Sequence, residues 1–356
     1  MDWIRGEKLG HGSFATVNLA MAGSQSCGLP PLMAVKSSGF SHSSSLMNEK
    51  VILEELKGCP EIIRCFGESS SYEKGEKLYN VLLEYAPGGA LADKLRNSGG
   101  EGLPESEVRG YTKALLKGIH YIHKFGYVHC DIKLQNILLA ANGRVKIADF
   151  GLAKRAGGRN GGAPGCELRG TPLYMSPEMV AGGEQGPPAD IWALGCVVAE
   201  MLAGAPAWRC SDIAGLLMRI GVGEEVPEVP RSLSEEGRDF LGKCFVKDPI
   251  KRWTAEMLLN HPFISDQDFE DDGLKNREAN TPSTSPRCPF DFPDWASSVS
   301  CSITSLPPPE YSPESGSWES SSGNGSWSDT AAARLMELVG DQNPNWSVSD
   351  DWVTIR

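Results

Sequence analysis

The sequence has no Cys-x-x-Cys pair. Its ten cysteines stand singly between Cys27 and Cys301, a pattern that supplies neither a zinc cage nor a disulfide framework. A cationic surplus is also missing: 34 Lys and Arg stand against 46 Asp and Glu, net −12. That balance argues against nucleic acid and anionic membrane as partners, because both require clustered Lys and Arg. No long apolar run occurs. The longest, Ile191–Leu202, is short and includes Glu200, so it reads as a buried core helix rather than a membrane span. The opening Met1-Asp2-Trp3-Ile4-Arg5-Gly6 lacks the apolar stretch of a secretory leader. Together these absences predict a reduced, intracellular, soluble protein, in the cytoplasm, the nucleus or both. What is present suffices for a large core, 40% hydrophobic with 8% aromatic, which excludes wholesale disorder. A length of 356 residues suggests one large domain plus an appendage.

Composition changes near Pro262–Ser265. From Ser265 to Arg356 there are 16 acidic and 5 basic residues, leaving 30 and 29 for residues 1–264, so the negative charge belongs to the tail. The tail also holds 18 serines, 9 prolines and 5 of the 9 tryptophans. Such sequence cannot bury enough apolar surface to offset its ordering entropy, and most of it is expected to be disordered. Thr330–Gly340 departs from this: helix formers, Ser328 or Asp329 as cap and Gly340 as stop predict one short helix. Ahead of the tail, β-like runs at Ile4–Leu9, Thr16–Met21, Met33–Ser37 and Tyr79–Tyr85 surround one helical stretch, Ser45–Leu56. From Leu91 onward helical periodicity dominates, as in Glu105–His123, Asp190–Ala203 and Ser234–Cys244. A small sheet-rich part followed by a larger helical part predicts two lobes with a cleft between them.

Leu9-Gly10-His11-Gly12-Ser13-Phe14-Ala15-Thr16-Val17 reads as strand, tight glycine turn, strand. Gly10 and Gly12 let the backbone fold over an anion with N–H groups facing its oxygens; an ordinary hairpin is the alternative. A dinucleotide-binding unit would need a helix directly after the glycines, and Thr16–Ala20 is β-like. Met33-Ala34-Val35-Lys36 is a strand ending in a lysine, which alone fits a snorkelling surface cation. The next helix sharpens the reading. Leu46, Glu49, Leu53 and Leu56 share one face at helical spacing, so Glu49 lies on the inward stripe, where an unpaired carboxylate is costly. Lys36 is the simplest partner, and such a pair would hold its ammonium against a phosphate.

Two strings hold the remaining chemistry: Val128-His129-Cys130-Asp131-Ile132-Lys133-Leu134-Gln135-Asn136-Ile137-Leu138 and Val145-Lys146-Ile147-Ala148-Asp149-Phe150-Gly151. Each is apolar at both ends, so each is anchored in core while displaying polar residues between. Asp149 and Asn136 offer hard oxygens suited to Mg2+, which prefers a few protein oxygens plus phosphate. Asp131 can accept or orient a hydroxyl proton, and Lys133 can neutralise charge on a phosphoryl group in transit.

The order glycine loop, Ala34-Val35-Lys36, helical Glu49, His129-x-Asp131-x-x-x-x-Asn136, Asp149-Phe150-Gly151 and Ser176-Pro177-Glu178 resembles the eukaryotic protein kinases over residues 1 to about 264. The resemblance implies an α+β, bilobal protein kinase fold. A small β-rich N-lobe with one helix would occupy residues 1–86, a larger, mainly helical C-lobe 87–264, and the mostly disordered tail 265–356. It implies ATP and Mg2+ as cofactors. Leu9 to Val17 would cover the nucleotide, and Lys36, paired with Glu49, would hold its α- and β-phosphates. Leu83 would be the gatekeeper, the backbone of Glu84 and Ala86 would reach the adenine, and Val17, Ala34 and Leu138 would sandwich the ring. Asp131 would be the catalytic base, with Asn136 and Asp149 holding Mg2+. Glu178 would pair with Arg252, and Asp190 would tie down the catalytic loop. Lys133, two residues after the base, resembles the serine/threonine kinases.

Gly170-Thr171-Pro172-Leu173-Tyr174-Met175-Ser176-Pro177-Glu178 narrows the resemblance. With the opening hexapeptide, Glu84-Tyr85-Ala86-Pro87-Gly88-Gly89, Arg252-Trp253-Thr254 and Leu259-Asn260-His261-Pro262-Phe263, it is similar to plant MEKK-like mitogen-activated protein kinase kinase kinases. Such a kinase would pass the ATP γ-phosphate to Ser or Thr of a downstream mitogen-activated protein kinase kinase. A pseudokinase scaffold is the alternative, and intact Lys36, Asp131, Asn136 and Asp149 speak against it.

One departure is informative. Cys130 stands where many kinases have an arginine that meets an activation-loop phosphate. The stretch Leu152–Gly170 contains no Ser, Thr or Tyr to bear one. The two absences agree and predict a kinase not switched on by phosphorylation there. Thr171, the first hydroxyl after it, resembles the substrate-pocket threonine that touches Asp131 and Lys133. In the tail, Thr281-Pro282, Ser285-Pro286 and Ser312-Pro313 are minimal targets of proline-directed kinases, so a downstream mitogen-activated protein kinase is a further expected partner. Thr330–Gly340 and Trp346–Trp352 are candidate docking segments.

Overall fold

The computed structural model describes residues 3–12, 15–23, 28–157, 170–182, 185–210, 212–230 and 233–265. Ser13 and Phe14 of the glycine loop, most of the hydroxyl-free stretch, and every feature expected of the tail lie outside the described residues.

Five strands, β1 (Trp3–His11), β2 (Thr16–Ala22), β3 (Leu32–Gly39), β4 (Cys65–Glu73) and β5 (Glu76–Glu84), form one antiparallel sheet in the order β1-β2-β3-β5-β4. Register decides what each face carries, because directly paired residues point the same way. Val17 and Val81 both lie opposite Lys36, and Ala34 lies opposite Leu83, so these five share the face turned to the main core. Ala20, Met33, Val35 and Leu82 occupy the other face and make a small buried cluster with Trp3, Leu29 and Phe66 around it. Helix α1 (Ser44–Glu55) buries Leu46, Glu49 and Leu53 as its periodicity predicts, adds Ile52, and has the predicted Leu56 buried at its C-cap. Strand β4 has no counterpart among the sequence-based expectations.

The larger lobe is helical: α2 (Leu91–Asn97), α3 (Glu105–Lys124), α4 (Pro177–Val180), α5 (Pro187–Ala203), α6 (Ile213–Gly221), α7 (Glu235–Cys244) and α8 (Ala255–Leu259). Helix α3 buries Val108, Leu115, Leu116, Ile119 and Ile122 on one face, with Glu105 and Glu107 in its first turn and His123 and Lys124 in its last, which suits the helix dipole. Helix α5 opens on two prolines, closes on left-handed Gly204 and is buried from Ala189 to Met201, so it is the axis of its lobe. The side chains of Asp212, Ser234 and Thr254 cap α6, α7 and α8 by accepting from Gly215, Gly237 and Met257 amides. No described helix is long and apolar enough to cross a membrane.

Four short strands lie where the lobes meet. Strands β7 (Ile137–Leu139) and β8 (Val145–Ile147) form a hairpin, and β6 (Tyr127–Val128) pairs with β9 (Lys154–Arg155). Ile147 donates to Glu61 O (2.7 Å) and accepts from Ile63 N (2.9 Å), while Leu139 does the same with Gly89 O and Gly88 N (both 2.9 Å). These bonds fasten the hairpin to the connections that follow α1 and β5. Gly88 is required there: a Cβ would stand 2.7 Å from Leu139 Cβ.

Candidate active site

The loop between β6 and β7 is built on Asp190, in the first turn of α5. One Asp190 oxygen accepts from His129 N (2.9 Å) and His123 Nε2 (2.9 Å), the other from Cys130 N (3.0 Å). Cys130 has φ +69°, a conformation costing a side-chain-bearing residue about 1–2 kcal/mol. These bonds hold it, together with Gln185 Nε2 donating to Cys130 O (3.1 Å). His129 is fully buried, and burial lowers its pKa. Its Nδ1 accepts from Asp131 N (3.2 Å), so Nε2 bears the proton and donates to Ala148 O (3.1 Å). Its ring meets Phe150 edge-on at 4.7 Å. A neutral histidine thus wires the loop to the chain leading into Asp149.

Asp131 is immobilised at both oxygens. Oδ1 accepts from Thr171 Oγ1 (2.9 Å), and Oδ2 faces Lys133 Nζ (2.7 Å) and Asn136 Nδ2 (3.0 Å). Lys133 Nζ also donates to Thr171 Oγ1 (3.0 Å). Asn136 spends its amide nitrogen on Asp131, donating to its backbone O as well (2.9 Å), which leaves its Oδ1 for a cation.

Lys36 reaches Glu49 Oε2 (2.6 Å) and Asp149 Oδ1 (2.9 Å). Glu49 has no exposed surface, and its other oxygen accepts from Phe150 N (3.2 Å). Burial opposes charge on Lys36, but Asp149 and Glu49 outweigh it and raise its pKa above the ordinary lysine value. Removal from bulk water likewise opposes charge on Asp149, and Lys36 more than offsets this, holding the carboxyl below the usual carboxylate range. Asp149 Oδ1 is engaged by Lys36 and Gly151 N (3.4 Å), so Oδ2 remains for a cation. Two hard oxygens, Asn136 Oδ1 and Asp149 Oδ2, fit Mg2+, which takes few protein ligands when phosphates and water complete its shell.

Around this set, Leu9, Ala34, Leu83, Ala86 and Leu138 are buried members of one core cluster, with Val17 packed against it. Gly10 pairs with Val17 and His11 with Thr16, and Gly12 N donates to Ala15 O (2.9 Å), closing the glycine turn. Glu84 donates its amide to Arg64 O (2.8 Å) and holds Lys146 (2.8 Å) with its carboxylate.

The protein kinase domain family matches residues 3–264. The chain belongs to the protein kinases. Over the full length of both chains it is 48% identical to mitogen-activated protein kinase kinase kinase 20 of Arabidopsis thaliana. It is 43% identical to kinase kinase kinase 17 of the same plant, over 74% of this chain and 70% of the relative. With number 18 the identity is 42%, over 76% and 79%. It is a serine/threonine protein kinase of the plant MEKK-like mitogen-activated protein kinase kinase kinase type.

The kinase also fixes the segment that follows Gly170. Arg252, with a fully buried side chain, donates to both oxygens of Glu178 (2.7 and 2.9 Å), to Pro188 O (2.7 Å) and to Val246 O (2.8 Å). Tyr174 donates to Glu200 Oε2 (2.6 Å), and burial pushes the Glu200 carboxyl up to about 7. Nothing in the sequence assigns a role to Glu200, His123 or Gln185. The only trace of Glu200 was a carboxylate inside an apolar run.

Proposed function

We propose that this kinase transfers the γ-phosphate of ATP to Ser or Thr of a downstream mitogen-activated protein kinase kinase. The observation that supports it most is the bonded convergence of Lys36, Asp131, Lys133, Asn136 and Asp149. Phosphoryl transfer asks chiefly for positioning and charge neutralisation, and this set offers both. Lys36 holds the α- and β-phosphates. Glu49 acts through Lys36 and touches no nucleotide. Asp131, unable to turn away from Thr171, Lys133 and Asn136, receives or orients the proton of the substrate hydroxyl. Lys133 neutralises charge at the phosphoryl group. Asn136 and Asp149 would hold Mg2+, which would supply further neutralisation of phosphate charge. The backbone of Glu84 and Ala86 reads the adenine, between Val17, Ala34 and Leu138, under the loop from Leu9 to Val17. The names of the relatives favour a kinase kinase as substrate. A downstream mitogen-activated protein kinase acting on the tail Ser/Thr-Pro sites is the further partner.

The experiment is incubation with labelled ATP and a panel of catalytically dead mitogen-activated protein kinase kinases. At least one is expected to take label from the wild-type chain and none from Asp131→Asn. A panel left unlabelled by the wild type overturns the substrate assignment.

A further inference from the structure

For Glu49 to reach Lys36, helix α1 must be aligned with the chain entering the catalytic loop and with the segment after Asp149-Phe150-Gly151. Side-chain hydrogen bonds and one ion pair join these three elements. On α1, Ser45 Oγ donates to Gly151 O (2.8 Å) and Asn48 Nδ2 donates to Ala153 O (3.0 Å). Both residues lie within one turn of Glu49. At the far end of α1, Glu55 accepts two bonds from Arg155 Nη2 (2.9 and 3.2 Å). The same guanidinium lies 4.6 Å over the Tyr127 ring, whose hydroxyl also faces Glu55. Tyr127 pairs with Arg155 across β6 and β9 and precedes His129 by two residues. Helix α1, the catalytic loop and the activation segment therefore meet in one knot. The stretch Leu152–Gly170 has no hydroxyl to bear a phosphate, and residue 130 is Cys rather than a cation.

We propose that Ser45, Asn48 and the Glu55–Arg155–Tyr127 knot are positioning residues that take the place of an activation-loop phosphate, so that the kinase is competent as synthesised. This rests on the kinase reading given above. The Glu55–Arg155 pair is solvent-exposed, at 41% and 60%, and contributes little alone. The two part-buried bonds to backbone carbonyls matter more; together the contacts bias the alignment of α1 by about tenfold to a hundredfold.

The test uses the full chain made in bacteria, treated with phosphatase and checked by mass spectrometry, with a catalytically dead kinase kinase as acceptor and Lys36→Met as zero. The dephosphorylated wild type is expected to retain its transfer rate. Ser45→Ala with Asn48→Ala is expected to lower kcat by about tenfold while KM for the protein acceptor and Tm stay put. Arg155→Glu is expected to lower kcat with Tm unchanged, and adding Glu55→Arg to restore it; a merely structural role would move Tm and leave the kcat of the folded protein alone. The exposed charge pair keeps the test decisive if Asn48→Ala misfolds. Transfer lost on dephosphorylation and regained on phosphorylation overturns the inference alone, as do variants with unchanged kcat. No transfer from either form of the wild type removes the kinase reading itself.

Discussion

Thr171 closes a triangle with Asp131 and Lys133 whose sides run from 2.7 to 3.0 Å. It therefore orients the two groups assigned to the moving proton and phosphoryl charge, without being assigned to hold the nucleotide. Thr171→Val is expected to lower kcat by at least about tenfold with little change in KM for ATP, because its hydrogen bonds to two charged groups, Asp131 and Lys133, are lost, whereas Thr171→Ser keeps the rate. Steady-state kinetics on a fixed acceptor decides; a Val variant at the wild-type rate contradicts the role. Glu200 makes a different prediction. Its folded pKa of about 7 lies above the ordinary 4.5, so the folded state binds the extra proton between those values. Stability is then full below about pH 4.5 and falls as pH rises through about 7, by at most about 3 kcal/mol. Glu200→Gln removes the titration and is expected to flatten this slope in urea unfolding at pH 5 and pH 8. A variant as pH-dependent as the wild type excludes Glu200 as its source.

At the scale of elements, α5 carries the catalytic loop on one side chain. Asp190→Ala leaves the buried amides of His129 and Cys130 without their acceptor, and a loss of about 3 kcal/mol in denaturant unfolding is expected. Stability unchanged by the substitution shows that the loop is held elsewhere. Two of the elements legible in the sequence, α3 and α1, repeat their buried residues at helical spacing. Helix α3 buries Val108, Leu115 and Ile119 at helical intervals, and α1 does the same with Leu46, Glu49 and Leu53. Strand β4 escaped because Cys65-Phe66-Gly67-Glu68-Ser69-Ser70-Ser71-Tyr72-Glu73 is polar; as an edge strand it is held mainly by its ladder to β5 rather than by burial. Strands β6 and β9, two residues each, are too short to leave a period. The same distinction separates the site residues. Asp131, Asn136 and Asp149 sit in short strings whose spacing is itself the signal. Ser45 and Asn48 bond to carbonyls 106 and 105 residues away, and nothing local marks a serine or asparagine for that contact.

At the scale of the whole molecule, the hairpin of β7 and β8 is fastened by backbone bonds to the link between α1 and β4 and to the segment that follows β5. The lysine of β3 and the carboxylates of the helical lobe consequently meet at 2.9 Å although 113 residues separate Lys36 from Asp149. In the proposed mechanism function depends on that meeting, and Asp149 is where it is most open to test. Asp149→Asn keeps the shape of the side chain while removing the charge that pairs with Lys36 and that the proposed Mg2+ site would use; a loss of at least about a hundredfold in transfer is expected. The most direct measurement is transfer of labelled γ-phosphate from ATP to Ser or Thr of a catalytically dead mitogen-activated protein kinase kinase, by the purified full chain with and without Mg2+. Label that requires Mg2+ and disappears in Asp149→Asn is the predicted result. Label that persists without divalent metal or in Asp149→Asn, or a wild-type chain that binds ATP and labels nothing, contradicts the account.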